Sequence, residues 1–330
     1  MNPSRAAKTA ALQRRTLLLG AASTLAPAAW SQTPAYPGRP VQLIVAAPPG
    51  GSSDVLARQL ADGLAKELGQ PVVIDNRPGA GGTLAAEAAL RAAPDGHTLM
   101  MSWIGNATAP ALLPKVGFDI NRDFVHISQM VAGANILVVN PATGFRTLGD
   151  LLQHARKHPG RLSYASSGNG SSGHLAMELL KQRAGVSMLH IPYKGGAPAM
   201  NDLLGGQVDL MFINQDAVIP HQQSGRLVPL VITSAQRNAM FPNLPTVAES
   251  FSGFEATAWA GISVPKGTPA AIVERLHVAT VKALNGPMRA KQEATGALVV
   301  GSTPAQYTQF VRDETAKWTQ VIRTANIKAD

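Results

Sequence analysis

From residue 41 onward, short apolar runs alternate with segments whose apolar positions recur every three to four residues. Residues 41–46, 72–74 and 97–103 read as buried strands, with helices at 55–68 and 83–92 between them. In the first helix Leu56, Leu60, Leu64 and Leu68 share one face, the spacing of an α-helical turn. Residues 125–140 read as two extended segments broken at Ala132-Gly133-Ala134. Thr147 caps a helix to Lys157, stopped by Pro159-Gly160. The alternation then resumes, with strands at 162–165, 188–191, 208–213 and 227–233. Helices at 174–184 and 197–204, and a short one ending near Gly225, separate them. Thr268-Pro269 opens a helix that Asn285-Gly286-Pro287 stops after Leu284, and Thr303-Pro304 repeats that opening signature. In the last helix Tyr307, Phe310, Val311, Trp318, Val321 and Ile322 form the buried stripe. This alternation predicts an α/β architecture with parallel sheets. Ligands of such sheets bind beyond the carboxyl ends of strands, at helix N-termini.

Composition narrows the classes. The 330 residues are 45% apolar and 15% charged, which suits a buried core and argues against disorder. The absence of Cys removes disulfide scaffolds, thiolate metal sites, iron–sulfur sites and thiol nucleophiles. Part of the +9 formal charge belongs to the N-terminus: residues 1–31 hold Arg5, Lys8, Arg14 and Arg15 and no acid. The remainder has 25 basic against 20 acidic residues, scattered, with no basic run and no aromatic interleaving. Nucleic acid is therefore not an expected partner, and a mildly positive field suits an anionic small molecule.

The N-terminal segment reads as an address. Arg14-Arg15 precedes about 14 moderately apolar residues that end in Ala29-Trp30-Ser31, with small residues flanking a cut after Ser31. That stretch is too short to span a bilayer. The Arg pair is twin-arginine-like, but Gln13 and Leu18 depart from that signal and leave a Sec route open. The expectation is an exported bacterial protein, not itself membrane-spanning, whose signal is removed near Ser31.

Two loops carry the candidate chemistry. Ala47-Pro48-Pro49-Gly50-Gly51-Ser52-Ser53-Asp54 joins the first strand to the first helix. Ser166-Ser167-Gly168-Asn169-Gly170-Ser171-Ser172-Gly173 does the same in the second half. Glycines allow close backbone approach, free N–H groups and the helix dipole favour an anion, and hydroxyls add adaptable hydrogen bonds. One loop from each half would make a two-jawed anion clamp; each is also readable as an ordinary strand-to-helix turn. Gly168-x-Gly170-x-x-Gly173 matches a dinucleotide fingerprint, which keeps an exported NAD(P) enzyme as an alternative. The strand that follows, Leu189-His190-Ile191-Pro192-Tyr193-Lys194, lacks the acid such a site uses for the ribose. No Gly-x-Ser-x-Gly elbow is present, and His154 and His158, four apart on a Lys/Arg-rich helix, read as a solvated face rather than a metal site. No catalytic residue, metal ligand or cofactor is therefore expected.

Taken in order, the motifs resemble the Bug-type (tripartite tricarboxylate transporter) substrate-binding proteins. They include Tyr36-Pro37-x-Arg39-Pro40-Val41, Pro49-Gly50-Gly51-Ser52-Ser53-Asp54, Asp75-Asn76-Arg77-Pro78-Gly79-Ala80-Gly81-Gly82 and Asp95-Gly96-His97-Thr98-Leu99. Tyr164-Ala165-Ser166-Ser167-Gly168, Pro192-Tyr193-Lys194-Gly195-Gly196, Leu204-Gly205-Gly206-Gln207-Val208-Asp209 and Leu244-Pro245-Thr246-Val247 continue the series, with Val264-Pro265-x-Gly267-Thr268-Pro269 closing it. The resemblance implies a two-lobed type II periplasmic binding protein fold, its two mixed or parallel sheets joined by two crossing strands. Lobe 1 would hold 32–136 and 259–330, and lobe 2 would hold 137–258, with crossings near 132–134 and 256–259. It further implies a non-enzymatic receptor for a small carboxylate, working with integral-membrane transporter subunits; a sensor for a membrane signalling partner would bind the same ligand. By motif match the site includes Gly50, Gly51, Ser52, Asp54, Ser166, Ser167, Gly168, Ser171 and His174. For Asp54, a loop-orienting role competes with direct contact, which a second carboxylate beside it disfavours. Ile213-Asn214 stands where the family often has Asp-Asn, and places Asn214 on the cleft.

Export supplies the first test. N-terminal sequencing of the periplasmic protein should begin at or near Gln32, and intact residue 1 recovered there would contradict the signal. Replacing Arg14 and Arg15 by Lys should block export on a twin-arginine route and have little effect on a Sec route.

Overall fold

The computed structural model describes residues 36–113 and 115–327, so the segment 1–31 expected to direct export lies outside the described residues. The first half runs β1 (Val41–Val45), α1 (Ser52–Leu68), β2 (Val72–Asn76), α2 (Thr83–Leu90), β3 (Thr98–Trp103), α3 (Ile104–Leu112), α4 (Ile120–Asp123) and β4 (Phe124–Val139). The middle runs α5 (Leu148–Lys157), β5 (Ser163–Ser166), α6 (Ser172–Ala184), β6 (Leu189–Pro192), α7 (Gly196–Leu204), β7 (Leu210–Asn214), α8 (Gln215–Gln223) and β8 (Val228–Ile232). The chain closes with β9 (Thr257–Pro265), α9 (Ala270–Ala283), α10 (Arg289–Glu293), β10 (Leu298–Val299) and α11 (Pro304–Thr324). No helix among the described residues is long and apolar enough to cross a membrane.

The strands join in one curled mixed sheet, ordered β2-β1-β3-β9-β4-β7-β5-β6, with β8 and β10 also pairing to β4. Parallel pairs flank both ends, β1 with β2 and β3, and β5 with β6 and β7. Antiparallel β4 and β9 hold the centre, from Phe124 opposite Pro265 to Ala134 opposite Thr257. From Asn135 onward β4 pairs instead with β7 and β8. The Ala132-Gly133-Ala134 break expected from sequence is thus a change of partners inside one continuous 16-residue strand. Gly133 stays in the ladder opposite Ala258, with both neighbours paired in register to β9.

Most helices form where the periodicity places them, and the differences have local causes. Thr147 and Thr303 cap α5 and α11, each with a reciprocal box. Thr268 does not cap α9: its hydroxyl donates to Pro265 O at 2.8 Å, and Pro269 takes the cap position. Pro110 lies inside α3 and hides that helix from a sequence reading. In the last helix Tyr307, Val311, Trp318 and Ile322 are buried, whereas Phe310 and Val321 are half-buried.

That stripe also buries an acid. Glu314 Oε2 accepts the indole N–H groups of Trp259 and Trp318, both at 3.0 Å, and Oε1 takes Lys317 Nζ at 3.2 Å. A buried carboxylate is tolerable only with such partners. Nearby, Ser102 Oγ bonds Ser263 Oγ (2.8 Å) and the fully buried Tyr307 hydroxyl (2.9 Å), and His126 Nδ1 bonds Ser263 Oγ (2.9 Å). Gly261 makes this packing possible, because a Cβ there would lie 2.3 Å from the Tyr307 ring. Gly261→Ala should therefore force α11 off the sheet and cost about 1–3 kcal/mol, as overpacked cores do. Denaturant melts measure this, and unchanged stability would contradict the contact.

Candidate functional site

Between the two ends of the sheet lies a cleft of about 570 Å³. One wall comes from the β1–α1 loop (Gly50, Gly51, Ser52) and Trp103, and the base from the crossing strands (Ala132 to Asn135, and Trp259). The opposite wall holds Ser167, Ser172, Gly173, Gly195 and the segment from Asn214 to Ala217. The starts of α1, α6, α7 and α8 all lie on this surface. Gly51, Gly195 and Asn214 cap α1, α7 and α8 without any side-chain hydrogen bond. First-turn N–H groups have no intrahelical partner, so these ends can donate to a ligand. Asp216 and Asp54 lie in the first turns of α8 and α1, with Arg58 paired to Asp54, whereas α7 has no first-turn acid. Lys291 is the cleft's cationic side chain, exposed, and no Arg lines it among the described residues. Backbone dipoles therefore dominate what this surface offers an anion.

The candidate residues divide into two groups. Gly50, Gly51, Ser52, Ser167 and Asn214 line the cleft. Gly168 lines a smaller adjoining cavity, together with Ser167. Asp54, Ser166, Ser171 and His174 are buried behind the loops and line neither cavity.

Each of those four braces a loop. Asp54 accepts the Gly50 N–H (3.0 Å), Arg58 Nε (2.9 Å) and Asn76 Nδ2 (2.9 Å), and Asn76 also donates to Ala47 O (2.9 Å). Burial pushes the Asp54 carboxyl up, but the Arg58, Gly50 and Asn76 hydrogen bonds outweigh it and leave the pKa lowered. Ser166 Oγ accepts the Gly168 N–H (3.2 Å) and shares a 2.7 Å hydrogen bond with His190 Nε2. Ser171 Oγ caps α6 at the His174 N–H (3.4 Å). His174 Nδ1 accepts the Gly170 N–H at 3.1 Å, and its ring stacks on His190 with centroids 4.2 Å apart.

Other groups on the cleft carry weaker sequence signals. Ser172 Oγ donates to Asn135 Oδ1 at 3.1 Å and ties α6 to the crossing strand. Gly173 seats α6 on β7, since a Cβ there would lie 2.2 Å from Phe212 O. The third glycine of the apparent dinucleotide fingerprint is thus a packing glycine. Gln215 bridges elements distant in sequence: Nε2 donates to Thr295 O (2.8 Å), and Oε1 accepts the Ala134 N–H (3.4 Å). Trp259 reaches the cleft only through its pairing opposite Ala132, which no local pattern reveals.

Histidine titration gives a testable pH dependence. Burial, then the neighbouring His190 and Lys181 charges, lower His174 from 6.5 to about 3. Burial, then Arg312, lower His126 from 6.5 to about 4. Below pH 6.5 the unfolded chain takes up these protons before the folded one does. Their contribution to stability is complete above 6.5 and is lost as pH falls toward the folded values. Melting temperature should decline between about pH 6.5 and 4, and His174→Gln, which keeps an acceptor for Gly170, should lessen the decline. A flat profile for wild type would contradict the buried neutral rings.

Comparison with known proteins agrees with this geometry. The family model described as "Tripartite tricarboxylate transporter family receptor" matches residues 56–327. BugT of Bordetella pertussis is 39% identical over 300 residues, covering 89% of this chain and 91% of BugT. An R. palustris protein solved with adipate superposes with TM-score 0.84 at 35% identity, covering 88% of this chain and 99% of the other. MatC of Rhodopseudomonas palustris, solved with bound malate, gives TM-score 0.83 at 33% identity, covering 87% and 100%. Matched from α1 to the end of α11, the chain belongs to the tripartite tricarboxylate transporter receptor family.

Proposed function

We propose that this protein captures a small organic carboxylate in its cleft and presents it to membrane transporter subunits for uptake, without altering it chemically. The observation that carries this reading is the convergence of the α1, α7 and α8 starts, free of side-chain caps, on a cleft without Arg. Helix N-termini bind carboxylates through N–H groups and the dipole, and need no side-chain cation. Family membership and two relatives solved with adipate and with malate support the same ligand class.

In this reading Gly50, Gly51, Ser52, Ser167 and Asn214 meet the ligand, Gly168 borders it from the adjoining cavity, and Asp54, Ser166, Ser171 and His174 hold the loops. The two lobes are 32–136 with 259–330, and 137–258. The partner change in β4 after Ala134 and the start of β9 at Thr257 support that division. The basic-apolar N-terminal segment, cut near Ser31, supports delivery to the periplasm.

A melting screen against small mono-, di- and tricarboxylates tests the proposal. An acid at about 100 times its Kd should add about 2.7 kcal/mol of stability. No shift with any acid would contradict it. Gly51 offers a sharper probe, because a Cβ there meets only Pro48 O, at 3.9 Å, and otherwise open cleft. Gly51→Val should leave ligand-free melting nearly unchanged and weaken binding at least about tenfold by calorimetry. Unchanged affinity would make the first loop a mere turn.

A further inference from the structure

Beside the cleft lies a second chamber of about 360 Å³. Ala46, Trp103, Ser167 and Gly195 line both cavities, so the second loop forms part of their common wall. The two differ in character. Pro78, Leu112 and Leu113 make much of the second chamber apolar, and exposed Lys194 is its charged lining residue. Trp103 is fixed as a partition: a Cβ would lie 2.6 Å from its Nε1 at Gly82 and 3.0 Å from its ring at Gly105. Glycine at both positions lets the indole sit against bare backbone.

We propose that this chamber is a subsite for the apolar body of the ligand, so that the protein selects a carboxylate bearing an apolar group over a compact dicarboxylate. The inference rests on the carboxylate reading above. A carboxylate held between Ser167 and the α7 start at Gly195 lies at the common wall, and a substituent directed past Trp103 enters a space lined by Leu112 and Leu113. Removing apolar surface from water is favourable in proportion to the area buried, and a charged substituent would lose hydration there with Lys194 as the one cationic lining side chain, Ser167, Asn169 and Tyr193 being neutral. Together the two cavities fall in the size range of small-molecule sites.

Calorimetric titration with malate, adipate and hydrocinnamate, a phenyl-bearing monocarboxylate, provides the test. Wild type should bind hydrocinnamate at least about tenfold more tightly than malate. Leu113→Trp, which fills the chamber from its half-buried edge, should remove that advantage and leave malate within about twofold. Lys194→Ala should change none of the three affinities by more than about twofold. Tighter binding of malate or adipate by wild type overturns the proposal, as does an equal loss for every acid in Leu113→Trp. A selective loss of adipate in Lys194→Ala also overturns it, and makes the chamber a second-carboxylate subsite. If Leu113→Trp does not fold, the wild-type ranking decides alone. Failure of all three acids, and of the wider screen, overturns the carboxylate reading itself rather than the choice among acids.

Discussion

The antiparallel ladder of β4 and β9 is the constraint on which the rest of this molecule depends. Buried backbone donors and acceptors must be paired, and a long strand shared by two ends of a sheet must find partners along its whole length. β4 does so by pairing with β9 up to Ala134 and with β7 and β8 from Asn135. The stretch where partners change forms the base of the cleft. Ligand space thus exists because the two ends of the sheet meet at one switch of hydrogen-bonding partners. Trp259 borders that switch, and Glu314 pins its indole to α11.

Both glycine–serine loops at the cleft are built on one principle with opposite electrostatics. Behind each, a buried titratable group accepts a glycine N–H: Asp54 from Gly50, His174 from Gly170. These bonds satisfy some donors from the protein side and leave other first-turn N–H groups facing the cleft. Asp54 is ionised, and Arg58 and Asn76 offset its charge. His174 is neutral, because burial disfavours its cation. Neither brace brings a bare charge to the cleft surface, so backbone dipoles remain the main electrostatic feature an anion meets.

Glycine has two separate uses here. At Gly50 and Gly195 the backbone is left-handed, which lets the chain turn into a helix start at the cleft. Close approach is the second use, and Gly195 serves both: a Cβ there would lie 2.9 Å from Pro48, and one at Gly81 would lie 2.7 Å from Asn169 O. These contacts bring loops from the two ends of the sheet together beside the ligand space. A glycine-rich motif therefore reports tight packing as well as anion binding, and Gly173 against Phe212 shows how the two are confused.

The α/β alternation, the capped starts of α5 and α11, and the two glycine–serine loops at helix N-termini were all legible in the sequence. Each depends on residues within one or two turns of one another, where periodicity and local hydrogen bonding act. Within the loops, sequence could not separate Ser167, which lines the cleft, from Ser166, which turns back to His190. Facing is set by what packs behind a loop, and His190 lies 24 positions away. Continuous β4, the buried Glu314 and the apolar chamber beside Trp103 likewise depend on strands and helices far apart in the chain. Local propensity determined which elements form and where they begin; tertiary packing alone decided which side chains face the cleft, because burial depends on residues that only the fold brings together.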